Sequence, residues 1–252
     1  MLQVELKNGS KVEVQKGASV LEIAKSLSEG LARNATCALV DGEVVDLRFT
    51  VEKDCKLEIL TFDNSLEGKK AYWHTSSHIM AQAIKRLYPN VKLTIGPSIN
   101  NGFYYDFDTD STFSEEDFEK IEAEMKKIIK EDLEIKRFTL PRKEAIAFMK
   151  EKDEPYKVEL IEELPEGEEI SFYEQGDFVD LCAGPHLMST GKVKIVKLLS
   201  SSGAYWRGNE KNKMLQRIYA ISFPKQSQLD EYLAMLEEAK KRDHKKLGKE
   251  LD

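Results

Sequence analysis

Two short stretches, His74-Thr-Ser-Ser-His78 and Cys182-Ala-Gly-Pro-His186, hold three of the four histidines and one of the three cysteines of the chain. Residues four apart on a helix lie one turn apart on one face, so His74 and His78 would point the same way. The four groups together offer zinc the ligand set N, N, S and N. With all four bound the shell is closed and structural; with one withdrawn it can activate water. Without metal, a histidine can take a proton while a neighbouring aspartate or histidine orients it. A Cys-His pair can also make a nucleophilic thiolate, but no papain-type context surrounds Cys182. Zinc peptidase chemistry of the HExxH type is excluded, because Thr75 stands where its glutamate base would be. The bland alternative is a scatter of unrelated polar residues, each satisfied locally. Compact pairs of this kind favour one shared site. Spacing marks the site and leaves the reaction open.

Further residues could belong to the same pocket. Asp180 is two residues before Cys182, so on a strand both side chains face one side. A surface carboxylate in a turn is the other reading. Tyr105 could be ordinary strand packing, and Lys157 a solvated helix lysine. Tyr205, Trp206 and Arg207 together could stack on a base and hold a phosphate, or two of them could be core or rim residues. His244 falls in a charged tail and reads as solvent-exposed.

The elements that position these groups can be read in part. A helix over about 71–87 carries the first pair, with Ile79, Met80, Ala83, Ile84 and Leu87 directed away from the imidazoles. Gly184-Pro185 forces a turn inside the second stretch. LTIGPSI and GFYYDFD read as a hairpin turning at Asn101-Gly102. Ser114 with Asp117 fits the N-cap of a helix whose core face includes Ile121, Met125 and Ile128. EIKRFTL is a strand, 141–150 and 154–164 are helical, and ISFYEQGDFVDLC is a strand leading up to Cys182. KIVKLLSSSGAYWRG and KMLQRIYAISF are paired strands.

Residues 1–62 read as a separate small unit. LQVEL and KVEVQ alternate around Asn8-Gly9, a helix runs from about Val20 to near Gly30, and short strands follow at 36–40, 43–46 and 56–61. That order suggests a β-grasp, ubiquitin-like module. It has no histidine, and its 8 basic and 10 acidic residues nearly cancel, so it reads as a binding or spacing element rather than a chemical one. Cys37 and Cys55 read as small core hydrophobes. Residues 63–70 are polar and read as a link. From Lys225 a long helix begins, ending so rich in charge that the natural protein is expected to continue beyond Asp252.

Composition bounds the function class. Hydrophobic residues at 41% and charged residues at 33% are an ordinary globular balance, and no apolar run approaches a membrane span. No secretory signal is read at the N-terminus, and three scattered cysteines without CxxC argue for reduced thiols in a cytoplasmic protein. A net charge of −7 speaks against a nucleic-acid binder. However, residues 183–252 carry 14 basic against 8 acidic groups, and such a segment can face a phosphate backbone. A merely solvated charged face fits the same numbers.

HTSSH, NGFYYDFD, QGDFVDLCAGPH, SGAYWRG and NKMLQRIY, in this order, resemble the N-terminal half of bacterial threonyl-tRNA synthetases over essentially the whole chain. HxxxH with CxxxH also occurs in alanyl-tRNA synthetases and free-standing editing proteins; SGAYWRG with NKMLQRIY points to the threonyl branch. The resemblance implies an α+β protein: a β-grasp TGS domain over 1–62, an editing domain over 63–224 and a linker helix over 225–252 that leads to an absent catalytic core. It implies hydrolysis of serine wrongly esterified to tRNA(Thr), with His74, His78, Cys182 and His186 as the central set. Asp180, Lys157 and Tyr105 then line the same pocket. The family commonly reads CRGPH where this chain has CAGPH, so Ala183 forgoes any contact of that arginine. No metal is expected in the threonyl branch, whereas likeness to the alanyl branch would put zinc on His74, His78, Cys182 and His186. ATP binding is not expected, since no class II motif, P-loop or GxGxxG is present. The alternative from another class is a non-catalytic tRNA-binding or regulatory module built on a structural zinc knot.

Overall fold

The computed structural model describes residues 1–250. The chain opens with β1 (Leu2–Leu6) and β2 (Lys11–Val14), then α1 (Val20–Leu27) and α2 (Glu29–Asn34), then β3 (Ala35–Val40), β4 (Glu43–Val45) and β5 (Cys55–Thr61). These five strands form one sheet in the order β2-β1-β5-β3-β4. The β1–β5 pair is parallel and the rest antiparallel, the β-grasp arrangement expected. Val4, Val20, Ile23, Ala24, Leu47 and Leu57 fill the space between sheet and helices. Gly30 does not end the first helix, as the sequence suggested. Ser28 interrupts it instead, taking an extended backbone and capping α2 through its hydroxyl, so Gly30 falls inside α2.

The stretch read as a polar link is largely helix. Ser65 caps α3 (Leu66–Leu87), and Gly68 is pressed so closely on β5 that a Cβ there would stand 2.0 Å from the Thr61 carbonyl oxygen. Cys37, Leu60 and Ala71 form a small apolar joint between the first sheet and this helix. Cys37 is therefore buried packing, and burial pushes its thiol up to about 12.

Beyond α3 the chain continues through β6 (Lys92–Leu93), β7 (Ser98–Ile99), β8 (Gly102–Asp108), α4 (Glu115–Glu131), β9 (Ile135–Thr139), α5 (Arg142–Glu151) and α6 (Pro155–Glu163). It ends with β10 (Ser171–Gln175), β11 (Phe178–Leu181), β12 (Ile195–Tyr205), β13 (Met214–Phe223) and α7 (Gln226–Glu250). One sheet runs β12-β13-β8-β6 with β7 on β8, and a second runs β11-β10-β9. The Ser114–Asp117 capping box starts α4 as expected. The segment read as a single strand up to Cys182 is instead the hairpin β10–β11, turned at Gly176-Asp177, with Tyr173 opposite Asp180.

Helix α3 is buried over most of its middle turns, His74 apart, packing on α4, β8, β13 and β3. Its apolar residues and its imidazoles therefore do not divide into an inner and an outer face. Thr75, Ser76, Ser77, Ala81 and Ala83 are small enough for neighbours to close in on every side. The serine hydroxyls are satisfied by the helix itself: Ser76 donates to the Tyr72 carbonyl at 2.9 Å, and Ser77 to the His74 carbonyl at 2.7 Å. Among the described residues no helix is long and apolar enough to cross a membrane.

Candidate active site

His74 and His78 project from successive turns of α3 with ring centroids 5.2 Å apart. The His186 ring lies against both, at 4.2 Å from His74 and 4.3 Å from His78. Cys182 Sγ is 3.2 Å from His74 Nε2 and 3.1 Å from His186 Nε2. One ligand atom from each of the four lies within 4.8 Å of all the others. The two stretches, more than a hundred residues apart, thus form one cluster. The two sulfur–nitrogen separations are close to the edges of a tetrahedron around zinc, roughly 3.3–3.8 Å for bonds of 2.0–2.3 Å, and the other ligand atoms lie near enough that the donor set could hold a metal ion.

The loop that carries Cys182 and His186 is tied down along its length. Cys182 N–H donates to the Ser171 carbonyl at 3.0 Å, and the Ser171 hydroxyl donates back to the Cys182 carbonyl at 2.6 Å. Gly184 has φ +78, and a Cβ there would stand 2.2 Å from Tyr173 Oη, so only glycine fits. Its N–H reaches back to Cys182 Sγ at 3.1 Å. Thr75 Oγ1 accepts the Leu187 N–H at 2.9 Å and sits 2.9 Å from His186 Nδ1. The residue that disqualifies peptidase chemistry is thereby the one that orients the third imidazole.

A buried ionic layer lies behind the cluster. Asp180, on β11 and only 2% exposed, is no surface carboxylate. Its Oδ2 accepts the Tyr105 hydroxyl at 2.8 Å and is 3.4 Å from His78 Nε2. Lys157 Nζ, on α6, is 2.7 Å from Oδ1, a charge contact whose angle falls short of a hydrogen bond. The Lys157 ammonium also faces the Tyr105 ring at 5.5 Å. Tyr105 and Lys157 are therefore buried partners of Asp180, not plain packing or a solvated lysine. Behind Tyr105, Gly96 is essential to the fit, since a Cβ there would stand 2.0 Å from the enclosed ring. Gly96→Ala is expected to lower stability by about 1–3 kcal/mol, an overpacking cost read as a fall in the urea midpoint at constant slope.

Burial governs the protonation of the site. It pushes His74 down to about 4 and His78 to about 3, with the Asp180 charge recovering only part of each shift. His186 is driven well below the usual range by burial and by the two neighbouring imidazoles. All three rings are neutral at pH 7. Burial also raises the Cys182 thiol, with the Gly184 N–H opposing weakly, so without metal it is a thiol and not a nucleophilic thiolate. Burial alone would raise Asp180, but the Lys157 charge, His78 and the Tyr105 hydrogen bond outweigh it and hold the carboxyl below its usual range.

His74 and Cys182 each keep an edge at the surface next to exposed Ala183, while His78 and His186 are enclosed. A substrate must approach over that edge, since the four groups touch one another too closely to admit one between them. Hollows of about 650 Å³ between Leu87–Lys92 and Asp108–Ser111, and of about 670 Å³ beside Tyr72 and Leu187, hold none of these side chains.

Tyr205, Trp206 and Arg207 are not brought into the cluster. They occupy the tip of the β12–β13 hairpin against the outer side of α6. Trp206 is 6% exposed, packed on Tyr156 and under the Arg207 guanidinium, and its indole donates to Glu159. Arg207 is paired with Glu159 and Glu163. The expectation that Trp206 stacks on a base is corrected, because no face of the ring is free; Tyr205, 41% exposed, keeps an open ring. His244 is exposed on α7, as expected.

The reading of the sequence missed Thr75 as a site residue, and it missed Asp46, Arg48 and Tyr173 altogether. Asp46 and Arg48 come from the β-grasp unit, and no local pattern in VVDLRF announces a partner 140 residues away.

Two family models match the chain: the TGS domain over residues 2–61, and the threonyl and alanyl tRNA synthetase second additional domain over residues 170–219. The second match contains Asp180, Cys182 and His186, whereas the α3 histidines, Tyr105 and Lys157 join them only through the fold. Across the chain the agreement is far closer. It is 69% identical over 249 residues, 99% of the chain, to a threonine-tRNA ligase of Caldanaerobacter subterraneus, of which it covers 38%. The chain carries a TGS domain and a second additional domain of the threonyl and alanyl tRNA synthetase type. Over its full length it is also 66% identical to a threonine-tRNA ligase of Acetivibrio thermocellus and 63% identical to one of Clostridium kluyveri, covering 40% and 39% of these. It thus spans about two-fifths of the length of the curated relatives it matches.

Proposed function

We propose that this chain is the editing portion of a threonyl-tRNA synthetase and hydrolyses the ester of serine mischarged on tRNA(Thr). It is divided as a TGS domain over 1–62, an editing domain over 63–224 and a linker helix from 225 that leads to the aminoacylation core, in the cytoplasm. The observation that carries the reading is the half-open cluster of three neutral imidazoles and a thiol backed by the Lys157–Asp180 pair, in a chain whose relatives charge tRNA with threonine.

The chemistry follows from which groups stay free. Serine lacks one methyl of threonine, worth about 1–3 kcal/mol, or 10–200-fold, in a single binding pocket. A second site that admits only the smaller residue supplies the missing discrimination. His74, neutral and at the opening, is the group placed to take a proton from the terminal ribose hydroxyl or from the attacking water. Asp180 has its oxygens occupied by Tyr105, Lys157 and His78, so it acts through them and not on the substrate. It holds the buried Lys157 ammonium behind the imidazoles, and the role proposed for that charge is to position water or to stabilise the developing oxyanion. Cys182 and His74 are the polar edges left for the seryl hydroxyl and amine.

His74, His78, Cys182 and His186 would be the ligands of a zinc ion, with Thr75 behind His186 and Asp180 behind His78 as outer partners. Zinc there would supply a rigid closed shell, since all four positions are taken by protein. The proposed hydrolysis uses the side chains themselves and no ATP. That four-donor geometry also supports a second reading, a non-catalytic tRNA-binding module around a structural metal knot.

One assay separates the two: this chain incubated with seryl-tRNA(Thr) and threonyl-tRNA(Thr) side by side, with metal content measured by elemental analysis. Rapid loss of serine with threonine retained is expected. Equal, uncatalysed loss of both, with one zinc per chain that disappears in Cys182→Ala, would replace the deacylase by the knot.

A further inference from the structure

We infer that Asp46 and Arg48 of the β-grasp unit are positioning residues of the His/Cys site, so that this unit completes the site and does not merely space it. The inference rests on the deacylase reading above.

Their grip is on the backbone of the catalytic loop. Asp46 Oδ2 accepts the His186 N–H at 3.1 Å and the Tyr173 hydroxyl at 2.8 Å. Arg48 Nη1 donates to the His186 carbonyl at 3.1 Å, and Nη2 donates to the Leu187 carbonyl at 2.9 Å and to the Ile135 carbonyl. The two side chains are locked to each other, since Asp46 Oδ1 accepts both the Arg48 N–H at 2.9 Å and Nη1 at 2.8 Å. Both peptide groups of His186 are thus held by the first unit, N–H by the carboxylate and C=O by the guanidinium. From the other side Thr75 fixes the imidazole and the next N–H. The Tyr173 ring lies 4.4 Å from the His186 ring and beneath the Arg48 guanidinium, so its hydroxyl couples the imidazole to the same carboxylate.

The device suits its load. Cys182 and His186 sit on a loop with a glycine in the left-handed region, outside any sheet, and a shift of 1 Å there would draw both away from His74 on α3. A bidentate guanidinium and a carboxylate are the side chains best able to fix three carbonyls and an N–H at once. The base of the latch is firm, because the first sheet is joined to α3, the helix that carries the other two imidazoles, through Cys37, Leu60 and Ala71.

The test is steady-state hydrolysis of seryl-tRNA(Thr) by the full chain and by Arg48→Met, Arg48→Lys and Tyr173→Phe, with folding checked by circular dichroism and urea midpoint. Loss of an outer partner of this kind typically costs 10–100-fold in activity. Arg48→Met is therefore expected to lower kcat about 10–100-fold with KM within twofold, Arg48→Lys to recover part of that loss, and Tyr173→Phe to lower kcat severalfold. Tyr173→Phe keeps the ring and the fold, so it decides the matter should Arg48→Met unfold. Unchanged kcat in the folded variants would overturn the inference, as would a rise in KM at constant kcat, which would make Arg48 a contact for tRNA. Inactivity of the unaltered chain would instead sink the deacylase reading itself.

Discussion

Replacing His74 with alanine is expected to slow seryl-tRNA(Thr) hydrolysis by about 10²–10⁴-fold, the usual contribution of a positioned acid–base group, while tRNA binding is retained. Of the three clustered imidazoles His74 alone keeps an edge at the surface; His78 and His186 are 2% and 0% exposed. Those two are placed to hold the cluster together, His186 against Thr75 and Cys182, and His78 near Asp180. With His74 pushed down to about 4, its ring is the free base at pH 7. Deacylation should then be flat from pH 8 to 6, and the fall below pH 5 should combine protonation of this ring with the acid unfolding expected in the same range. Single-turnover rates against pH, with filter binding of tRNA alongside, check both parts. Full activity in His74→Ala would remove the residue from the mechanism.

The second large effect is on stability. Burial holds His74 down to about 4 and His78 down to about 3 in the folded protein and drives His186 well below the usual range, against 6.5 in the unfolded chain. Their folded values are depressed, so their contribution is complete above about pH 6.5 and disappears as pH falls toward the folded values. Between these limits the unfolded chain binds more protons than the folded one, and stability rises with pH. Each ring contributes up to about 1.4 kcal/mol per pH unit, so three give roughly 4 kcal/mol per unit. A domain with about 5–15 kcal/mol in total has little margin against such a slope. Acid unfolding is expected between about pH 5 and 4, well before ordinary carboxylates titrate fully. Asp180, with its carboxyl held below 3.8, adds its own loss only at lower pH. Urea midpoints measured from pH 7 to 4.5 should fall steeply, and His78→Gln should remove about a third of the slope. A flat profile over that range would mean that the imidazoles are already charged in the folded protein.

Much of the architecture was legible because it obeys short-range rules. Alternation around Asn8-Gly9 and the Ser114–Asp117 capping box each produced the element expected of them, since turn and cap chemistry act over a few residues. The errors came where packing overrode such rules. Polar residues 63–70 read as a link, yet Ser65 starts a helix that the first sheet then covers. A helix divided on paper into an apolar and an imidazole face is packed on most sides of its middle turns, because its serine hydroxyls are satisfied by its own carbonyls and Thr75 by the His186 loop. Trp206 could be read as a stacking platform or as a core residue, and packing under Arg207 and against Tyr156 makes it the latter.

The spacing of His74, His78, Cys182 and His186, the turn at Gly184 and the β-grasp order of the first strands were determined by the sequence alone, because helix pitch, strand alternation and turn chemistry are local. Which buried charge stands behind which imidazole, and that Asp46 and Arg48 reach across to hold His186, was decided only by the tertiary structure. Those contacts join residues 138 and 140 positions apart, and a carboxylate or guanidinium carries no mark in its neighbours of the distant backbone group it will meet.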